Sequence, residues 1–75
     1  MKKNNYKYDI NTDVKITEEA AEIICSREPD VDFDFNQVGV VKSQYMINKT
    51  KMYEVKFGNV MLNLPQSYIE EASEN

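Results

Sequence analysis

Histidine is absent from the 75 residues, cysteine occurs once and glycine only twice. Each shortage closes off a line of chemistry. Without histidine the commonest general base near neutral pH is missing, and Cys25 has no imidazole partner to activate it. No serine sits in a nucleophile motif. A zinc site without histidine would need three or four cysteines, which the chain lacks. A single cysteine cannot form an intramolecular disulfide, which fits a reducing, cytoplasmic setting. With Gly39 and Gly58 as the only glycines, there is no glycine-rich phosphate loop. No apolar run approaches the roughly 20 residues of a membrane-spanning helix, and the start, MKKNNYKYDI, lacks the apolar stretch of a signal peptide. The expectation is a soluble protein that is not an enzyme and uses no metal or cofactor.

What remains is enough for one small domain. Hydrophobic residues make up 41% of the chain and include five Tyr and three Phe, so folding is favoured over disorder. Residues 1–5 and 73–75 read as flexible ends around a domain at 6–72. The net charge of −4 is distributed in blocks: residues 1–16 carry +2, 17–35 carry −6, 36–66 carry +3 and 67–75 carry −3. An acidic segment among mildly basic ones disfavours general DNA binding, which needs a basic face.

The clearest structural signal is Lys51–Leu64, KMYEVKFGNVMLNL. A two-residue turn at Gly58-Asn59 places Phe57 opposite Val60, Val55 opposite Leu62 and Tyr53 opposite Leu64. All six then share one face, because strand side chains alternate. Glycine at the first central position suits a type II′ turn. Val14–Ile16 reads as a first strand and Val38–Tyr45 as another, with Gly39 marking a bulge or a close backbone approach. An odd-numbered loop before Lys51 would set Tyr45 beside Tyr53 and Val41 beside Phe57; an even one would push Lys42 into the core face. The odd loop is therefore expected. Thr17 is a helix N-cap candidate with Glu18 and Glu19 behind it, and Pro29 ends the helix near Arg27. Helix 18–27 should dock through Ile23 and Ile24, with Cys25 as a small buried hydrophobe. Pro65 ends the last strand, and Gln66–Glu71 reads as one tight helical turn that returns Tyr68 and Ile69 to the core.

Taken in order, Asp13-Val-Lys-Ile16, a long excursion, Val38-Gly-Val-Val41, Tyr53-Glu-Val-Lys-Phe57, Val60–Leu64 and Pro65-x-x-Tyr-Ile-Glu70 resemble the small SH3-like barrels. These include KOW-type domains and the SH3-like accessory subunit of photosystem I. The resemblance covers about Asp13–Glu70 and implies a mainly β, antiparallel barrel of the SH3-like kind. The helix in the first long connection departs from the bare loop common in that group. Such barrels are binding modules of many kinds, so the resemblance assigns no chemistry.

Asp30–Phe35 reads D-V-D-F-D-F, which places Val31, Phe33 and Phe35 on one side of a half-buried strand or extended arm. Glu28, Asp30, Asp32 and Asp34 are the candidate binding residues. As a calcium loop the segment fails, with Phe35 where glycine is required and Val41 where glutamate is required. Its other uses are docking on a larger protein partner or imitating a run of nucleic-acid phosphates, set against the plain role of a charged solvent face. Lys42, Lys49, Lys51 and Lys56 offer a weaker alternative, a KOW-like contact with nucleic acid. The expected function is a small, acidic, non-catalytic adaptor that docks on a larger protein. A nucleic-acid-mimicking inhibitor is the runner-up, and the Lys/Asn/Ile/Tyr-rich usage suits an AT-rich bacterium or its phage.

Overall fold

The computed structural model describes residues 6–72, so the flexible ends expected at 1–5 and 73–75 lie outside the described residues. The elements are β1 Asp13–Ile16, α1 Glu18–Arg27, β2 Gly39–Ile47, β3 Thr50–Phe57, β4 Val60–Pro65 and β5 Ile69–Glu71. A 3₁₀ turn at Gln66–Tyr68 links the last two strands. All pairings are antiparallel, and the strands form one sheet in the order β4-β3-β2-β1-β5. The sheet is not closed into a barrel, which leaves β4 and β5 as its edges.

The β3–β4 hairpin follows the parity of its sequence. Phe57 pairs with Val60, Val55 with Leu62 and Tyr53 with Leu64, around Gly58 at φ +62°. Tyr53, Val55, Phe57 and Leu64 are buried, whereas Val60 is 43% exposed and Leu62 half-buried, so the turn end of β4 leaves the core. Across the sheet, Val14, Ile16, Val41 and Ile69 complete that core with Ala20 and Tyr8. Burying a Val or Phe of this kind stabilises the fold by roughly 1.5–3 kcal/mol.

Two expected registers are corrected. The β2–β3 loop is a two-residue turn, Asn48-Lys49, with Ile47 opposite Thr50. Taken alone, this even turn would carry Lys42 onto the core face opposite Val55. A bulge between Val41 and Ser43 absorbs the extra residue instead, setting Val41 opposite Val55 while Gln44 faces Tyr53. Lys42 stays exposed. In the other correction, Gln66–Glu71 divides into the 3₁₀ turn and β5, where Ile69 pairs with Ile16 and is buried. A three-residue strand carries little local signal and exists here because β1 offers it a partner.

Helix α1 runs over the expected residues. The Thr17 hydroxyl accepts the Ala20 N–H at 3.0 Å, and the Glu28 N–H donates to the Ile24 carbonyl at the C-cap. Its docking face differs from expectation: Ala20 is buried and Ile24 half-buried, but Ile23 is 40% exposed and Cys25 is exposed. At roughly 100° per residue, three consecutive side chains on one helix cannot all face the sheet.

Candidate functional site

Residues 28–38 form a strap between α1 and β2, and its first and last turns fix how it lies. The Val31 N–H donates to the Glu28 carbonyl at 3.0 Å, just after Pro29 has closed off the helix. At the far end the Asp34 carboxylate accepts the Asn36 N–H at 2.9 Å, and the Gln37 N–H donates to the Asp34 carbonyl. Between these turns the strap belongs to no strand, so of the two forms expected at Asp30–Phe35, strand or arm, it takes the arm and pairs with no strand of the sheet.

The alternation nevertheless survives as alternating burial. Val31, Phe33 and Phe35 are half-buried, while Asp30, Asp32 and Asp34 are exposed, as is Glu28. Phe33 anchors the strap: its ring meets Phe57 edge-on at 5.2 Å and Phe35 at 5.1 Å. Such aromatic pairs are worth about 0.5–1.5 kcal/mol beyond the area they bury. The structure thus brings all four acids together on one strap and gives Asp34 an added structural part, holding the exit turn.

Beneath the strap lies a feature that sequence reasoning missed. A hollow of about 410 Å³ opens between the strap, α1 and β4. Ile24, Val31, Phe33 and Phe35 form one wall. Val60, Leu62 and Leu64 form the other, with Glu28 and Asp32 also among its lining. Among the described residues no lysine or arginine lines it. The available signal was Val60 and Leu62, which sit at the open end of the hairpin's apolar face with too little sheet to cover them.

The lysines do not gather into one surface. Lys42 lies at the β2 bulge and Lys56 between Val40 and Met61. Lys49 and Lys51 are at the opposite end of β3 from Phe57, where they line a separate open hollow of about 580 Å³ with Lys7, Tyr8 and Gln66. Six residues of strand from Lys51 to Phe57 separate that end from the strap by about 20 Å. Lys56, by contrast, is the neighbour of Phe57, on which the strap is anchored.

Tyrosine side chains hold the first described residues over the core. The Tyr53 hydroxyl donates to Gln66 Oε1 at 2.6 Å and accepts the Tyr8 N–H at 3.3 Å, and Gln44 Nε2 donates to the Tyr8 carbonyl at 2.7 Å. Tyr6 and Tyr8 both meet the Tyr53 ring edge-on. These contacts fix the first described residues on the core. Among the described residues no group of three or more Cys, Asp or Glu is placed to hold a metal ion. Comparison of the chain with known protein families, with curated proteins and with solved structures finds no match.

Proposed function

We propose that this protein is a non-catalytic adaptor that docks on a larger protein through Glu28, Asp30, Asp32 and Asp34. The observation that supports this reading is the alternation along the strap. Phe33 and its neighbours fasten the strap to the core, so the acids are held outward as a ridge and not left on a free loop. Exposed charges of this kind steer a basic partner over about one Debye length, roughly 8 Å at physiological ionic strength.

A likeness to SH3-like barrels is part of the same proposal. It rests on the strand order, on the long connection between β1 and β2, and on a 3₁₀ turn leading into a last strand that pairs with β1. The dispersal of Lys42, Lys56 and the Lys49/Lys51 pair weighs against a KOW-like nucleic-acid surface. Mimicry of nucleic acid remains a special case of the acidic reading, since acids two residues apart on an extended chain are about 6.6–6.8 Å apart.

Pull-down from the source cell with the tagged chain, at low and high salt, tests the proposal when repeated with Asp30/Asp32/Asp34→Asn. Asparagine at position 34 can still accept the Asn36 N–H, so the strap keeps its turn. The variant should stay folded and lose partner, mainly through slower association. Equal capture by parent and variant would reduce the acids to a solvated face and end the adaptor and mimic readings together.

A further inference from the structure

We propose that the hollow beneath the strap receives an extended segment of another protein, added as a strand to the free edge of β4 and carrying Lys or Arg among apolar side chains. This rests on the adaptor reading and specifies what its partner presents. Three observations lead to it, beginning with the backbone. In a two-residue hairpin the residues flanking the turn, Phe57 and Val60, form a closely bonded pair. Val60, Leu62 and Leu64 then give their backbone groups to β3, and those of Met61 and Asn63 face away from the sheet. Pro65 falls in the same outward set, a position where proline sacrifices no ladder bond.

The second observation is the composition of that edge. β4 reads V-M-L-N-L-P with no charged residue, and Val60 and Met61 are 43% and 45% exposed. The other edge, β5, carries Glu70 and Glu71. Charge on an edge strand is the usual guard against pairing with another chain, and β4 lacks it. Strand addition there would continue the sheet by one strand, with alternate side chains of the added segment pointing into the hollow. A volume of about 410 Å³ lies within the roughly 300–1,000 Å³ typical of ligand sites.

The third observation selects the occupant. Glu28 and Asp32 line the hollow, Asp30 and Asp34 stand on the same strap, and among the described residues no basic side chain lines the hollow with them. A second copy of this chain fits poorly, because pairing β4 with β4 would bring two acidic straps to one edge. A segment with Lys or Arg flanking apolar residues answers both the rim and the floor.

The test uses ¹⁵N-labelled protein and two synthetic peptides, one a short Val-rich segment flanked by Lys and the other the same segment flanked by Glu. The Lys peptide should shift and protect the Met61 and Asn63 amides together with strap residues, and its affinity should fall roughly threefold or more as salt is raised through the physiological range. Met61→Pro removes an outward N–H and no β3–β4 bond, and should abolish the protection. Asp32→Lys, at an exposed site, gives a second variant should the proline disturb the hairpin, and should weaken the Lys peptide at least several-fold. Equal binding of the Glu peptide overturns the charge argument. Shifts confined to the strap and indifferent to Met61→Pro overturn strand addition while leaving the adaptor reading intact. So does failure of the Lys peptide to bind when natural-partner capture still depends on the three aspartates. A dimer seen by sedimentation that Met61→Pro dissociates makes the second copy the occupant and overturns the proposal as well.

Discussion

Substituting Gly39 by alanine probes how closely the sheet packs on its own core. Gly39 opens β2, pairs with Val14 and is buried. A Cβ there would lie 2.6 Å from Phe57 Cδ1 and Cε1 and 2.7 Å from Val55 Cγ1. Carbon atoms pack best at about 3.5–4.0 Å, so the shortfall is about 1 Å against two side chains at once. Neither is free to swing away: Val55 is fully enclosed, Phe57 is 2% exposed, and the Phe57 ring is met by Phe33. The cost should be that of overpacking, about 1–3 kcal/mol. A domain this small has about 5 kcal/mol of stability, so the loss is a large fraction of the whole. Urea unfolding followed by circular dichroism would show it as a lower midpoint at unchanged slope. A double-mutant cycle with Phe57→Leu sharpens the test, because removing the ring relieves the clash. The double variant should lose less than the sum of the two singles by about 0.5 kcal/mol or more. Gly58→Ala serves as the control. Nothing lies within 4 Å of a Cβ at Gly58, but φ is +62°, so its cost is backbone strain of about 1 kcal/mol with no coupling to Phe57. A Gly39→Ala protein as stable as the parent, or strict additivity with Phe57→Leu, would refute the close approach.

Two further substitutions test the local architecture. Thr17→Ala removes the hydroxyl that accepts the Ala20 N–H and should cost about 1 kcal/mol, seen as faster hydrogen exchange concentrated in α1; unchanged exchange would show that the cap is unimportant. Lys49→Gly should stabilise the protein by about 0.5–1 kcal/mol, because Asn48 and Lys49 both have positive φ and a type I′ turn favours glycine at its second position; a lower unfolding midpoint would count against this.

What the sequence made legible follows from the range of the interactions involved. The β3–β4 hairpin was readable because period-two alternation and a Gly-Asn turn lie within one stretch of 14 residues, and local rules determine both. Helix α1 was readable for the same reason, with its cap, its acidic first turn and Pro29 all adjacent. The β2–β3 register was not, although the reasoning that Lys42 must stay out of the core was sound. Two devices satisfy that requirement, an odd loop or an even turn with a bulge, and only the contacts across the sheet choose between them. Tyr8 could not be placed in the core from the sequence because it sits in no periodic run; its burial comes from Tyr53, 45 residues away, whose hydroxyl takes its N–H. The candidate site divides along the same line. The exposure of Glu28, Asp30, Asp32 and Asp34 could be read from the alternation with Val31, Phe33 and Phe35. The hollow behind them could not, since its walls come from α1, the strap and β4, and its floor exists because Val60 and Leu62 run past the end of the covered core. Sequence alone thus located the charge and missed the shape. On the docking proposal the two belong together, because a solvated face needs the charges and has no use for an uncharged edge strand beside them.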